Sequence, residues 1–337
     1  MKKIVSVILA LTLCLGTAIS LTSCKKQKVD FTVGIVQLAP HVALDAATKG
    51  FKDALVEELE KAGKTVEFKE KNAGGEISAC PGIVGSFVSN RVDLILANAT
   101  PALQAAVKAT KSIPILGTSV TEYGVALGIE NFSGTVGSNV SGTSDLAPLE
   151  TQAQMMIDTL SLTEGDRVGL LFCSAEPNSE YQVKVVESYL NSKNITTERY
   201  AFSDSNDLGI VAGKAASKDA GLSAIYVPTD NTAADNAPQI KNLTLPNKDN
   251  EKGVPVFTGE EGICAGCGYA TLSIDYYSLG RKTGEMAAKI LLGQAHIEDM
   301  AIEYDAAPTK KYNPEICQAL GIDTAALEAL GYVAIGQ

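Results

Sequence analysis

Small polar and acidic residues gather in short segments that directly follow apolar runs along this sequence. The segments are rich in hydroxyl and amide side chains, and they also carry acids and one histidine. Hydroxyls and backbone amides at a helix start can hold an anion such as a carboxylate, and a buried acid can pair with an ammonium group. Together these groups suit a zwitterion such as a free amino acid. The candidate ligand-binding residues are His41, Asp45, Asn98, Ala99, Thr100, Ser119, Val120, Thr121, Ser174, Glu176, Asn178, Ser179, Asp230, Asn231 and Glu260.

Each of these residues also has a structural explanation. Ser, Thr, Asn and Asp are the side chains that usually cap helix N-termini, and every α/β protein needs such caps. His41 precedes a predicted helix, where a hydrogen-bonding role at the helix start would explain it equally well. Both explanations stay open for any single residue, and a cleft lined by the set is our prediction.

The apolar runs that precede these segments predict the strands of parallel sheets. Val92–Ala97 and Arg167–Cys173 are nearly continuous apolar runs, typical of strands buried on both faces. Asp45–Ala62 instead carries apolar residues at helical spacing. Two successive sets of such units predict an α/β fold with two doubly wound parallel-sheet lobes joined by a hinge. Because ligands bind beyond the carboxyl ends of parallel strands, the candidate residues should face a cleft between the lobes.

The pattern also predicts how the chain is divided between the lobes. Residues 31–140 and 277–300 are assigned to lobe one, and residues 145–272 and 305–337 to lobe two. Thr135–Ser144 is rich in Gly, Ser and Thr, which is typical of a chain that crosses between lobes. The predicted hinge crossovers are 141–144, 273–276 and 301–304.

The start of the chain predicts export and a lipid anchor. A short basic segment is followed by the apolar run Ile4–Leu21 and then by Ser23 and Cys24. This order is typical of a secretory signal peptide, and the ending Leu-x-Ser-Cys resembles a bacterial lipobox. We therefore expect a cleaved signal peptide at 1–23, a lipid on Cys24 and a tether at 24–30, on the outer face of the cell membrane. The alternative is an uncleaved anchor, because the apolar run of about 18 residues is at the lower limit for a membrane span.

Composition narrows the function further. The chain has 28 Lys plus Arg against 39 Asp plus Glu, a net charge of −11, which disfavours sequence-independent binding of nucleic acid. Its 2 histidines disfavour a multi-histidine metal site, and we predict no metal and no cofactor. Because Trp is absent, an aromatic ligand would have to be held by Tyr, Phe, His or aliphatic side chains.

Motifs of catalysis are missing from the sequence. It has no Gly-x-Ser-x-Gly elbow, no phosphate-binding Gly-x-x-x-x-Gly-Lys-Ser/Thr loop and no Gly-x-Gly-x-x-Gly after a strand. We therefore predict a binding protein, and an enzyme is the weaker hypothesis. Cys264 and Cys267 form a Cys-x-x-Cys pair, for which two buried thiols, a disulfide, and a metal or redox site are all open.

Several stretches of the sequence resemble one known family, the ABC-transporter substrate-binding lipoproteins of the tryptophan/tyrosine-binding type. The resemblance covers roughly residues 30–325, and the motifs occur in the family's order. They are HVALDAATKGF (41–51), DLILANATPALQAA (93–106), SVTEYGVALG (119–128), NVSGTSDLAPLETQ (139–152), AEPNS (175–179), YVPTDNT (226–232) and IDYYSLGRKTGEMAAKILLG (274–293).

This resemblance implies a type I periplasmic-binding-protein fold with three crossovers that closes on its ligand by a hinge. It also implies an extracytoplasmic lipid anchor and, as partner, the membrane permease of an ABC importer. Several members are associated with aromatic amino acids, so tyrosine, tryptophan or phenylalanine is the expected ligand, bound by a monomer. A nucleoside- or sugar-binding lipoprotein of the same fold is the alternative.

Roles can then be assigned to the candidate residues as a hypothesis. Glu176, Asp230 and Glu260 compete for the ligand's ammonium group, while His41, Tyr123 and Tyr269 face its side chain. The residues expected to hold the ligand's carboxylate are Asn98, Thr100, Ser119 and Thr121 of lobe one, and Ser174, Asn178 and Ser179 of lobe two.

Overall fold

The computed structural model describes residues 29–248, 250–304 and 307–336. The predicted signal peptide, Cys24 and the tether up to residue 28 lie outside these residues. The described chain forms two sheets covered by helices, one of six strands and one of seven. The predicted α/β fold with two doubly wound lobes is confirmed.

Strands and helices alternate along most of the chain. The strands are β1 (Phe31–Gln37), β2 (Val66–Asn72), β3 (Leu94–Asn98), β4 (Ile115–Val120), β5 (Val140–Ser144), β6 (Arg167–Cys173), β7 (Thr196–Phe202), β8 (Ala224–Val227), β9 (Val256–Thr258), β10 (Ala270–Ser273), β11 (Glu303–Tyr304), β12 (Thr309–Tyr312) and β13 (Val333–Ala334). The helices are α1 (Val42–Lys61), α2 (Cys80–Ser89), α3 (Thr100–Ala109), α4 (Tyr123–Leu127), α5 (Leu149–Leu160), α6 (Pro177–Ser192), α7 (Ser205–Ala216), α8 (Asn231–Asp235), α9 (Ala237–Thr244), α10 (Glu261–Gly266), α11 (Tyr276–Leu291), α12 (Pro314–Leu320) and α13 (Thr324–Ala329).

Strand order is that of two doubly wound sheets. Lobe one has the order β11-β5-β4-β3-β1-β2, and all its neighbouring pairs are parallel. Lobe two has the order β13-β12-β10-β9-β8-β6-β7, and only β10 and β12 run antiparallel. In β6, Leu170 and Phe172 pack on one face of the sheet, and Leu171 and Cys173 on the other. This two-sided burial explains why the strand is a continuous apolar run.

The chain passes from one sheet to the other three times. The passages lie between Ser144 and Leu149, between Ser273 and Tyr276, and between Tyr304 and Thr309. The predicted crossovers 141–144 and 301–304 therefore contain strands of lobe one. That these segments act as a hinge, and the domain boundaries drawn from them, stay predictions.

The segment 135–144 differs from its prediction as a linker, because its second half is strand β5 at the interior of the sheet. Its small residues serve close packing. A Cβ atom on Gly142 would lie 2.1 Å from the Gly117 carbonyl oxygen. The hydroxyl of Thr143 is buried 2.8 Å from that of Thr283 on α11. A buried strand that needs small residues at such contacts has the composition of a linker.

Two helices of lobe one pack so closely that glycine is required between them. A Cβ atom on Gly50 of α1 would lie 2.1 Å from the Tyr277 carbonyl oxygen, and one on Gly280 of α11 would lie 2.0 Å from the Ala47 carbonyl oxygen. His41 immediately precedes α1, and Tyr276 is the first residue of α11. The contact therefore fixes the positions of these two residues relative to each other.

The Cys-x-x-Cys pair consists of two separate thiols. Cys264 and Cys267 are buried and unbridged, and burial raises the pKa of both thiols. A thiol with a raised pKa is a poor nucleophile and metal ligand. Within the described residues, no cluster of His, Cys, Asp or Glu is arranged to hold a metal ion. In the same part of the chain, no helix combines the length and apolar character needed to span a membrane.

Candidate ligand-binding site

A small cavity lies between the lobes, next to two of the passages that connect them. Lobe one and lobe two both contribute to its wall, while Asp145 and Tyr276 come from the first two passages. The free volume is about 10 Å³, room for about one water molecule. Its lining residues are His41, Ala43, Leu44, Ser119, Thr121, Asp145, Asn178, Thr229, Asp230, Asn231, Ala234, Glu260 and Tyr276.

Polar atoms without a hydrogen-bond partner concentrate at this cavity. Buried polar groups nearly always find a partner, so each exception calls for an explanation. Four of the buried side-chain atoms that lack one belong to lining residues: His41 Nδ1, Ser119 Oγ, Asp145 Oδ1 and Asn178 Oδ1. Their common position makes this cavity the candidate site for a polar ligand.

His41 reaches across the cleft from the start of α1. Its Nε2 atom lies 3.3 Å from Asn231 Oδ1 of lobe two, and its side chain does not cap α1. Desolvation lowers the pKa of His41, although the Asn231 contact opposes that shift. The imidazole is therefore neutral at pH 7, and with Nε2 donating to Asn231 it presents Nδ1 as an acceptor.

Ser119 stands near the end of β4 in a backbone conformation that few non-glycine residues adopt. Its φ is 53°, and Ala99, just after the neighbouring strand β3, has a φ of 93°. Such conformations store strain and occur preferentially at functional sites. At Ser119 the register between β4 and β5 also shifts, and the unpartnered hydroxyl belongs to the cavity wall.

Three acids line the cavity, and each is at most 2 % exposed. Burial raises the pKa of Glu260 to about 7. Burial and the nearby Glu176 carboxylate raise the pKa of Asp230 to about 7. Burial also raises the pKa of Asp145, against the hydrogen bonds from the Tyr276 and Thr121 side chains. The lining contains no Lys or Arg, so a cationic group of a ligand would relieve the cost of ionising these acids.

The structure brings together part of the predicted set. His41, Ser119, Thr121, Asn178, Asp230, Asn231 and Glu260 line the cavity. Asp45, Asn98, Ala99, Thr100, Val120, Ser174, Glu176 and Ser179 are not among its lining residues.

The predicted residues outside the wall have structural partners. Asn98 Nδ2 donates to the Leu44 carbonyl oxygen at 2.8 Å and so ties α1 to β3. Asp45 is exposed and accepts a hydrogen bond from Gln37. Ser174 is exposed, and its hydroxyl donates to a backbone carbonyl. For these side chains a direct ligand contact stays a prediction.

Tyr123 and Tyr269 occupy the hydrophobic cores of their lobes. The Tyr123 hydroxyl donates to the Thr143 carbonyl oxygen at 3.1 Å. The Tyr269 hydroxyl lies 2.6 Å from Thr159 Oγ1, and its ring packs edge-on against Phe257. Both tyrosines are at most 1 % exposed. The expectation that they face the ligand is therefore wrong for this arrangement, because both side chains are packed in the cores and neither lines the cavity.

Sequence reasoning missed Asp145 and Tyr276. Asp145 directly follows β5, so it occupies the strand-end position at which every other candidate was sought. The Gly, Ser and Thr residues of this strand predict a linker, so the acid at its end does not stand out in the sequence. Tyr276 falls in the predicted crossover 273–276, whereas in the structure it begins a helix.

Comparison with known proteins identifies the family of this chain. The family model for ABC transporter substrate binding proteins matches residues 32–330. A tyrosine-binding protein from Clostridioides difficile is 34 % identical over 274 residues, which is 81 % of this chain and 75 % of the relative.

Two solved structures are similar over 90 % of this chain. One is an ABC domain from Streptococcus pneumonia in complex with L-Trp, with a TM-score of 0.78 at 28 % identity and all of its chain covered. The other is the ligand-free, open structure of a substrate-binding protein with adhesive properties from Clostridium difficile, with a TM-score of 0.64 at 31 % identity and 99 % of its chain covered. By its sequence and its fold, this chain belongs to the family of ABC transporter substrate-binding proteins.

Proposed function

We propose that this protein binds a free amino acid in the cavity between its lobes and presents it to the permease of an ABC importer. An aromatic amino acid such as tyrosine, tryptophan or phenylalanine is the favoured ligand, since one relative is tyrosine-binding and another holds L-Trp. The observation that carries the proposal is the cluster of unpartnered polar atoms beside three buried acids.

The two charged groups of an amino acid match different parts of the wall. Its ammonium group complements the buried carboxyls of Asp145, Asp230 and Glu260, because burial raises the pKa of each and makes its ionisation costly without a cation beside it. Its carboxylate meets no Lys or Arg in the lining, so neutral donors must hold it. The hydroxyls of Ser119 and Thr121 are suited to this role, because hydrogen bonds to a charged group are about twice as strong as neutral ones.

Binding requires the lobes to move. The cavity is far too small for an amino acid in this arrangement. This structure is closer to the L-Trp complex than to the ligand-free, open relative at similar identity, with TM-scores of 0.78 and 0.64. The three passages between the sheets are the natural hinge. A ligand that touches both lobes only when they are closed stabilises the closed form by that difference in affinity.

The place of action follows from the chain's start. We propose that residues 1–23 are removed and that the lipid on Cys24 holds the protein at the outer face of the membrane. A Cys24→Ala variant should then move from the membrane fraction to the soluble extracytoplasmic fraction without loss of ligand binding. Retention in the membrane would point instead to an uncleaved anchor.

A thermal-shift series tests the ligand class. The protein is unfolded and refolded to remove any carried ligand, then mixed with tyrosine, tryptophan, phenylalanine, adenosine or galactose. Because a ligand that binds only the folded state raises the melting temperature, at least one aromatic amino acid should do so while adenosine and galactose do not. A shift with adenosine or galactose alone would replace this proposal with the nucleoside or sugar alternative. Mass spectrometry of the mixture should recover the ligand unchanged, as for a binding protein.

A further inference from the structure

Four buried acids lie at or just behind the cavity, and three of them are already engaged by their own lobe. Asp230 Oδ1 accepts from Ala233 N at 2.8 Å, and its Oδ2 accepts from Cys173 N at 2.6 Å. The two Glu260 oxygens accept from Gly262 N at 2.6 Å and Ile263 N at 2.5 Å. These carboxyls fix the starts of α8 and α10, as helix caps do.

Glu176 is used in the same way. Its Oε2 accepts from Asn231 N at 3.0 Å and from Asn231 Nδ2 at 2.6 Å, and its Oε1 accepts from Thr232 N and the Thr232 hydroxyl at 2.9 and 2.8 Å. It does not line the cavity. A carboxylate with both oxygens occupied by short bonds has little capacity left for a ligand.

Asp145 differs from these three acids. It is 2 % exposed and lines the cavity. Its Oδ2 accepts from the Tyr276 hydroxyl at 2.8 Å, whereas its Oδ1 has no partner. A buried carboxylate oxygen without a donor is costly, and a cationic donor placed beside it recovers that cost.

We propose that Asp145 is the residue that receives the ligand's ammonium group, at Oδ1, and that Tyr276 is the positioning residue that holds this carboxyl. The inference rests on the proposed function, since it names which acid of that site selects an α-ammonium group. Asp145 then holds the ammonium group in place of Glu176, Asp230 and Glu260, whose oxygens are bonded to their own lobe.

The hydrogen-bonded pair of Asp145 and Tyr276 lies where the chain passes between the lobes. Asp145 lies in the first passage between the sheets, and Tyr276 starts the helix that follows the second. Their hydrogen bond therefore links two of the chain segments that connect the lobes. An ammonium group at Asp145 is held at the pivot, where it stays in contact while the lobes open and close.

Two matched ligands and two matched variants test this inference. Tyrosine is compared with 3-(4-hydroxyphenyl)propionate, which lacks only the ammonium group. Asp145→Asn should weaken tyrosine binding about 100-fold, because it removes the charge partner of a buried ammonium. Binding of the propionate should be unchanged or stronger. Circular dichroism and thermal unfolding establish that the variant is folded.

Tyr276→Phe tests the positioning role even if Asp145→Asn does not fold. It should weaken tyrosine about tenfold and leave the propionate unaffected, because a loosened carboxyl matters only to an ammonium group. Tyr277→Phe is the control, since the neighbouring hydroxyl donates to Asp53, outside the cavity, and should change neither affinity.

The outcomes separate this inference from the proposed function. If wild-type protein binds no amino acid, the proposed function fails and the inference falls with it. If wild-type protein binds tyrosine and Asp145→Asn binds it equally well, the inference alone is overturned. An equal loss of affinity for both ligands in Tyr276→Phe would contradict the positioning role and show a general structural defect.

Discussion

The two walls of the cavity are built from the same kinds of residue but differ in whether their polar atoms already have hydrogen-bond partners. On the wall from lobe two, Asp230 and Glu260 are already bonded to the backbone of their own lobe. On the opposite side, Ser119 of lobe one and Asp145 of the first passage keep polar atoms without partners. The first wall is thus largely completed before a ligand arrives, with Asn178 Oδ1 as its one buried side-chain atom without a partner among the described lining residues. The second wall is incomplete, because His41, Ser119 and Asp145 each keep such an atom, which we expect the ligand to engage. A buried acid near a binding site is therefore not by itself a binding residue.

The largest expected effect is loss of stability when an acid behind the completed wall is removed. Glu176→Ala leaves four half-buried donors of Asn231 and Thr232 without their acceptor. Urea unfolding should show a loss of about 3–5 kcal/mol in the free energy of unfolding, because each donor left unpaired away from water costs about 1–3 kcal/mol. Glu180→Ala on the same helix is the control, since its partly exposed pair with Arg199 is worth less than about 1 kcal/mol. Equal effects of the two substitutions would refute the structural role of Glu176.

A second substitution shifts residues of the incomplete wall without replacing any of them. Gly50→Ala forces α1 and α11 apart, because the new Cβ would meet the Tyr277 carbonyl oxygen at 2.1 Å. We expect a loss of about 1–3 kcal/mol in stability, together with weaker binding of the amino acid as His41 and Tyr276 shift. Gly85→Ala on α2 has open space around its Cβ and should be neutral or stabilising. Unchanged affinity in Gly50→Ala would show that the helix contact does not position these two residues.

Acidity should act mainly on the wall from lobe two, which carries both Glu260 and Asp230. The pKa values of these two acids are raised to about 7, from ordinary values of 4.5 and 3.8. The folded state therefore holds protons that the unfolded state releases, and stability of the ligand-free protein should fall as pH rises from about 4 to about 7. A bound ammonium group favours the ionised acids, so affinity for the amino acid should rise over the same range. Urea unfolding and calorimetry between pH 4 and pH 7 measure both trends, and a ligand-free stability that rises with pH over this range would contradict them.

The smallest expected effect on stability is that of replacing Ser119, and Ser144 provides the comparison. Ser119→Ala removes a hydroxyl without a partner and should change stability by less than about 1 kcal/mol. It should weaken amino-acid binding about tenfold. Ser144→Ala removes a hydroxyl that donates to the Thr121 carbonyl oxygen at 2.7 Å and should cost about 1–2 kcal/mol. The reverse order in stability would mean that Ser119 has a structural partner.

Much of the fold could be predicted from the sequence, since apolar runs and helical spacing report burial directly. The strand predicted at Arg167–Cys173 has those bounds in the structure, and the helix predicted at Asp45–Ala62 spans Val42–Lys61. Strand β5 was not predicted, because close approach to β4 requires small residues that resemble a linker. Missing that strand also hid Asp145.

From the sequence, only the region of the cleft that holds the site could be predicted, not the role of each residue. Strand ends identify which residues come near the cleft, and seven predicted residues line the cavity. Sequence cannot tell a capping acid from a free one, because that depends on which backbone amides surround each oxygen. Asp145 and Glu176 both follow the end of a strand, β5 and β6 respectively, and their hydrogen bonds distinguish the two acids.

Calorimetric titration of refolded, ligand-free protein with tyrosine, tryptophan and phenylalanine is the most direct test of the central claim that the interlobe cavity binds an amino acid. We expect saturable one-to-one binding of at least one of these three amino acids, with a dissociation constant of roughly 1 μM or below. Binding should weaken sharply in Asp145→Asn. Absence of heat with every amino acid, in protein that is folded and free of carried ligand, would contradict it.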